Sequence, residues 1–213
     1  MNFTFYSSLA HLPIGVAVTI EFIGPLTLAA ALSRRWLDAV AVLAAAGGVV
    51  LISEALHTPW AELEKTGIAL ALLAGAFWAA YIVLAGRTGA EFPKLEGLAI
   101  AMVVATVVTL PLGAFSAPSW TPEILLKAFG IAVLSSVLPY SLELLALRRL
   151  SAKVFGILLS LEPAFAALAG LIVLDQVLSP TQLVGMALVV TASALVLGLG
   201  ARRPADPVEA AST

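Results

Sequence analysis

Residues 66–86 read TGIALALLAGAFWAAYIVLAG, 21 consecutive residues without a charged side chain. A helix of this length rises about 30 Å, which is the thickness of the hydrocarbon core of a lipid bilayer. A helix on the surface of a soluble protein needs a polar face, and this stretch has none. The segment therefore predicts a transmembrane helix, and it directs the interpretation of the rest of the chain.

The composition of the whole chain agrees with a membrane protein. Of its 213 residues, 61% are hydrophobic and 11% are charged, with a mean hydropathy of +1.06, whereas soluble domains carry about 25% charged residues. A net charge of −2 provides no basic face for nucleic acid. The chain has no cysteine and only two histidines, so we expect no disulfide, no metal site and no cofactor. No nucleotide-binding loop and no catalytic triad is visible, which argues against an enzyme.

Further stretches that are poor in charge bring the number of predicted spans to seven. In addition to residues 66–86 they are residues 14–33, 39–53, 95–115, 124–147, 154–174 and 180–201. Because lipid offers no hydrogen-bond partner to the backbone, these spans are predicted to be helices. Residues 2–13 are too few to cross a bilayer, and we interpret them as the end of a helix whose earlier turns are missing. The fold class is thus an all-α, polytopic bundle of membrane helices.

The basic residues predict the orientation of these spans. If the spans alternate in direction, nine of the eleven Lys and Arg residues fall on one side: Arg34, Arg35, Arg87, Lys94, Arg148, Arg149, Lys153, Arg202 and Arg203. Basic residues accumulate on the cytoplasmic side of membrane proteins. This basic side is therefore predicted to be cytoplasmic, with Lys65 and Lys127 outside. The polar tail, residues 201–213, is predicted to be disordered in the cytoplasm.

The chain matches itself without gaps when it is shifted by 138 positions, which superposes Pro25 on Pro163. Residues 66–200 contain five spans and form a complete repeat. Residues 1–57 form an incomplete repeat, in which the first two and a half spans are missing. An odd number of spans per repeat turns one copy upside down relative to the other, and such inverted repeats are a common plan of secondary transporters.

Four short strings carry a resemblance to a known family: EFIGPL (21–26), FWAAYI (77–82), LPYSLE (138–143) and LEPA (161–164). On these motifs the chain resembles the EamA branch of the drug/metabolite transporter superfamily, whose members have ten spans in two five-span repeats. Within that branch it is most similar to the threonine/homoserine exporters. The resemblance implies a secondary transporter of the inner or plasma membrane that exports small amino acids such as threonine and homoserine. It also implies that the chain is truncated at its N-terminus.

Three carboxylates lie inside predicted spans: Glu21, Glu143 and Glu162. Ionisable groups in a membrane are costly and are candidates for function. Glu21 and Glu162 are three positions apart in the repeat alignment, so both are predicted to project toward the axis between the repeats. Because burial disfavours the charged carboxylate, we predict proton coupling at Glu21, Glu143 or Glu162. The alternative, a glutamate that reaches the lipid headgroups, is strongest for Glu143.

Prolines are predicted to break three of the spans. Pro25, Pro139 and Pro163 each lack an N–H and leave the carbonyl four residues earlier without its helical partner. Such carbonyls can accept hydrogen bonds from a substrate, a water or a neighbouring hydroxyl. For Pro25 and Pro163 we expect the helix break and the binding site to coincide.

Polar and aromatic side chains complete the predicted site. Ser136, Tyr140 and Glu143 follow an i, i+4, i+7 spacing and form one polar stripe on a helix. Trp78 and Tyr81 lie deep in their span and are predicted to close a cavity, with core packing as the alternative. The predicted substrate-binding residues are Glu21, Glu162, Tyr140, Ser136, Trp78 and Tyr81. In the same span, Gly67, Ala71, Gly75 and Ala79 recur every four residues and form a ridge of small residues for close helix packing.

Two alternative functions remain open at this point. The same fold could carry another cargo, such as a drug, an aromatic amino acid or a sugar derivative. The chain could instead be a membrane remnant that does not transport. The expected partners are a small amino-acid-like substrate and the lipid bilayer, but not nucleic acid, and a homodimer is one possible assembly.

Overall fold

The computed structural model describes residues 1–59, 63–114 and 121–201. The α-helices in this part of the chain are α1 (Asn2–Ser8), α2 (Ile14–Ala31), α3 (Trp36–Ile52), α4 (Lys65–Glu91), α5 (Glu96–Ala114), α6 (Pro122–Ala132), α7 (Leu138–Leu147), α8 (Ala152–Leu158), α9 (Glu162–Leu174) and α10 (Pro180–Ala201). The predicted all-α class is confirmed. Of the predicted disordered tail, residues 201–213, Ala201 is the last residue of α10, and residues 202–213 lie outside the described part.

The seven predicted spans are all helical. Within the described residues, five helical segments are long and apolar enough to cross a bilayer: Ile14–Ala31, Lys65–Glu91, Pro122–Leu147, Ala152–Leu174 and Pro180–Gly198. The other two, Trp36–Ile52 and Glu96–Pro111, are apolar but shorter. Helix α1 has 7 residues and is too short to span, as the sequence predicts. The chain is a multi-pass membrane protein.

Prolines affect three of these spans differently. A π-helical turn, Val133–Val137, joins α6 to α7, and Pro139 lies in the first turn of α7. A 3-10 turn, Leu159–Leu161, joins α8 to α9, and Pro163 lies in the first turn of α9. Helix α2, by contrast, continues through Pro25. Proline both lacks a donor and crowds the carbonyl four residues back, which explains the change of helix type before Pro139 and Pro163.

The chain divides into two compact units. The first consists of Met1–Tyr81 and Ala152–Thr213, and the second consists of Ile82–Ser151. The first unit therefore combines α1, α2 and α3 with helices from both ends of the second predicted repeat. A repeat is defined by sequence and does not need to be compact by itself, and the repeat boundaries stay a prediction.

Helix α2 is closely packed on two sides within the first unit. Where α2 crosses α4, a side chain on Gly24 would overlap the backbone of Gly75. On the α8 side, a methyl group on Gly156 would lie 3.0 Å from the carbonyl oxygen of Pro25 and 3.5 Å from Cβ of Ala29. Small residues allow helices to approach this closely in a membrane, where packing rather than a hydrophobic effect drives association.

The ridge of small residues predicted on α4 faces the core of the first unit. Ala71 is fully buried and packs in a cluster with Leu12, Val16, Ala17, Ile20 and Ala55. A side chain added to Gly67 would meet Leu12, and one added to Gly75 would meet Glu21. The interpretation of this face as a packing surface is confirmed at these three ridge positions.

Helices α5 and α6 in the second unit present large apolar side chains on their surface. Six of these side chains are more than 60% exposed: Val103, Val107, Val108, Leu126, Phe129 and Ile131. Such a surface is unfavourable in water but matches the hydrocarbon tails of a bilayer. This exposure fits helices that face lipid.

Candidate functional site

Glu21 and Glu162 form an acid pair in the first unit. Glu21 lies in the middle of α2 with 8% of its surface exposed. Glu162 is the first residue of α9, directly after the 3-10 turn, and it is exposed. The carboxylate of Glu162 is close enough to act on Glu21 by electrostatic repulsion. The two acids come from elements of different predicted repeats.

The crossing of α2 and α4 fixes the backbone of Glu21. Pro25 has no N–H to donate to the carbonyl of Glu21. That carbonyl oxygen lies against Gly75, where a methyl group would be 2.5 Å from it. In this conformation the carbonyl therefore faces the backbone of α4, not a space that a substrate could enter.

Trp78 lies beside the acid pair but is buried. It is 6% exposed and packs edge-to-face on Phe22, with ring centroids 4.9 Å apart and planes at 73°. Phe22 directly follows Glu21 in α2. This contact favours core packing over an open cavity wall for Trp78 in this conformation. Tyr81, one turn further along α4, is partly buried.

The predicted polar stripe lies in the second unit. Ser136, Tyr140 and Glu143 are each partly buried. Ser136 lies inside the π-helical turn, whereas Tyr140 and Glu143 lie in α7. A π-helical turn holds more residues than an α-helical turn, so the angle between Ser136 and Tyr140 differs from the one that the spacing predicts. Tyr140 and Glu143 keep the predicted register.

An ion pair that no sequence motif marks joins α3 to α8. Lys153 Nζ donates to Asp38 Oδ2 at 2.8 Å. Asp38 is 2% exposed, and the Lys153 side chain is 25% exposed. The backbone N–H of Arg34 also donates to Asp38 Oδ2, at 3.4 Å. One sequence signal could have indicated this pair: Asp38 and Lys153 each lie at the start of a predicted span, on the same predicted side of the membrane.

At its other end, α3 is connected to the start of α10 by two hydrogen bonds, one to a carboxylate and one to a backbone carbonyl. Ser179 Oγ donates to Glu54 Oε1 at 2.9 Å, and Gln182 Nε2 donates to the carbonyl of Ile52 at 3.4 Å. Both bonds connect the end of α3 with the start of α10. In the predicted orientation they lie on the outer side, opposite the Asp38–Lys153 pair.

Comparison with known proteins gives a match to one family over most of the chain. Residues 65–198 match the EamA-like transporter family. The chain is 41% identical over 195 residues to the threonine/homoserine exporter RhtA of Escherichia coli (strain K12). It is 40% identical over 195 residues to the threonine/homoserine exporter RhtA of Salmonella typhimurium (strain LT2). These alignments cover 91% of this chain but only 65% of each relative, so the chain spans just under two thirds of their length.

A solved crystal structure shares the fold. Its TM-score is 0.73 at 19% sequence identity, and the match covers 94% of this chain and 72% of that chain. At this identity the likeness concerns the fold alone. The matching family and the curated relatives are transporters, not enzymes.

Proposed function

Because the chain belongs to the EamA-like transporter family, we propose that it works as part of a secondary exporter of small amino acids or related metabolites. The proposed location is the inner membrane, with the C-terminus in the cytoplasm. Threonine and homoserine are the first substrates to test, since the curated relatives are named as exporters of these two amino acids. The observation that carries the proposal is the pair of intramembrane acids, Glu21 and Glu162.

The acid pair suits a site that alternates between a proton and an ammonium group. Two carboxylates that repel each other inside a membrane span are costly. A bound proton offsets this repulsion, and so does the ammonium group of an amino acid. Because both ligands compete for Glu21 and Glu162, proton entry displaces the substrate and couples export to proton uptake.

The remaining predicted residues have supporting roles in the proposal. Tyr140 and Ser136 hydrogen-bond the polar groups of the amino acid. Glu143 is a further candidate for carrying the coupled proton. Trp78 and Tyr81 exclude water from the site, and Trp78 does so by packing on Phe22 beside Glu21.

The test replaces each acid by its neutral isostere and measures the export of labelled threonine from loaded cells. We expect Glu21→Gln and Glu162→Gln each to lower efflux by at least about tenfold, which corresponds to about 1.4 kcal/mol of lost stabilisation. Glu96→Gln is the matched control, because Glu96 is exposed in the first turn of α5. Efflux equal to that of the unmodified chain in both acid variants would show that the acid pair is not the site.

A further inference from the structure

The Asp38–Lys153 pair connects the two predicted repeats on the basic side of the chain. Asp38 lies in the first turn of α3, and Lys153 lies at the start of α8. The two residues are 115 positions apart, yet their side chains meet at 2.8 Å. Eight other basic residues are predicted on this side, but it is the side chain of Lys153 that pairs with Asp38.

The two partners are not equally free to move. The positive end of the α3 dipole and the N–H of Arg34 both favour the carboxylate of Asp38 at its present place. Lys153 lies at the N-terminus of α8, where the helix dipole disfavours a positive charge. Asp38 therefore holds the long side chain of Lys153 in position. A movement of α8 away from α3 separates Lys153 from Asp38.

The outer side has no equivalent ion pair at the matching positions. The shift of 138 positions places Asp38 on Gln176 and Lys153 on Gly15. Gly15 packs so closely on the carbonyl of Ser53 that it leaves no space for a side chain. The amide of Gln176 lies over Gly170. The outer side thus lacks an ion pair at these two positions, and its contacts lie elsewhere: His11 Nδ1 meets Glu64 Oε2 at 2.7 Å, and Ser179 donates to Glu54.

The ion pair and the acid pair share one span, the segment from α8 to α9, whereas Asp38 lies on α3 and Glu21 lies on α2. Lys153 and Glu162 are at the two ends of the segment formed by α8 and the 3-10 turn. Between them, Gly156 packs on the carbonyl of Pro25 in α2. For the basic side to open toward the acid pair, α8 has to leave α2 and α3, and Lys153 has to leave Asp38.

We propose that the Asp38–Lys153 pair closes the basic side of the chain and has to break before that side opens to Glu21 and Glu162. The role of those two acids rests on the proposed function, but the closure itself does not. A buried carboxylate that loses its partner is strongly disfavoured. Opening therefore proceeds when binding at the acid pair compensates for the loss of this contact.

The absence of cysteine from the sequence makes the closure directly measurable. Ser160→Cys is nearly isosteric, and Ser160 is fully buried, roughly 10 Å along the span from Lys153. Ser8→Cys gives a second reporter that is equally buried, near the predicted outer side. Each reporter is labelled with a membrane-impermeant maleimide, in inside-out vesicles for residue 160 and in intact cells for residue 8.

We expect Asp38→Asn and Lys153→Met each to raise the labelling rate of Ser160→Cys by about tenfold, because each shifts the population toward the open form. The double variant should give the same increase as either single variant, since one contact is lost in all three. Lys153→Arg should keep the slow rate. Labelling of Ser8→Cys should stay slow throughout, which separates opening of the basic side from general unfolding.

The exposed pair of Lys127 and Glu123, at 2.6 Å, provides the control. Lys127→Met removes a surface ion pair and should leave both labelling rates unchanged. Equal labelling of Ser160→Cys with and without the Asp38–Lys153 pair overturns the proposal, and so does a rise in the double variant that equals the product of the single effects. Labelling does not require transport. The labelling result therefore stands even if Glu21→Gln and Glu162→Gln turn out to have normal efflux.

Discussion

Helix α2 and the α8–α9 segment occupy equivalent places in the repeat alignment but have different local structures. In α2, Glu21 precedes Pro25 by one turn, and the helix continues as an α-helix through the proline. In α8–α9, Glu162 directly precedes Pro163, and the chain changes to a 3-10 turn before the acid. One acid is buried and the other is exposed.

Packing accounts for this difference better than the prolines do. Helix α2 lies between Gly75 on α4 and Gly156 on α8, and both contacts reach its backbone near Pro25. A helix held from two sides cannot unwind around a proline without losing these contacts. The 3-10 turn before α9 is itself buried at Ser160, but Glu162 is exposed, as are Phe165, Ile172 and Val173 further along α9. The pair of acids thus combines one buried member and one exposed member.

The largest effect is expected where α2 and α4 cross. Gly24→Ala places a methyl group on the backbone of Gly75, and such overpacking costs about 3 kcal/mol. We expect a strong loss of folded protein in detergent, measured by thermal unfolding. Gly130→Ala is the control, because nothing lies within 4 Å of the added methyl group, and alanine favours the helix. Equal stability of the two variants would mean that α2 is not held at this crossing.

The sequence predicted the helices of both regions because a bilayer requires long apolar segments, whatever they pack against. It also placed the two acids close in repeat coordinates. It could not predict that Trp78 packs on Phe22 or that Asp38 meets Lys153. These spans are apolar all around, so hydrophobic periodicity does not reveal which face is buried. Lipid and protein interior are equally apolar, and only the three-dimensional contacts distinguish them.

We expect substitutions of the two acids to have a moderate effect on stability, and to stabilise the fold where Gly24→Ala destabilises it. Glu21→Gln and Glu162→Gln both remove the repulsion between the two carboxylates, so both should stabilise the fold. Glu21→Gln also removes a carboxylate from a buried place. It should therefore stabilise the fold more than Glu162→Gln does, by about 1 kcal/mol or roughly 2–4 °C in Tm. Thermal unfolding in detergent measures both variants. A fall in Tm for Glu21→Gln would mean that the Glu21 carboxylate has a structural partner instead of a functional cost.

The smallest effect concerns the prolines themselves. Pro163→Ala restores an N–H that can bond to the carbonyl of Leu159, so the 3-10 turn can become α-helical. We expect the amides of Leu159–Leu161 to exchange about tenfold more slowly with deuterium, as followed by mass spectrometry. Pro25→Ala is the matched variant, and the amides around it should change little, because α2 is already continuous. If both variants slow exchange to the same extent, the proline determines the local backbone in both repeats and the packing of α2 on Gly75 and Gly156 does not.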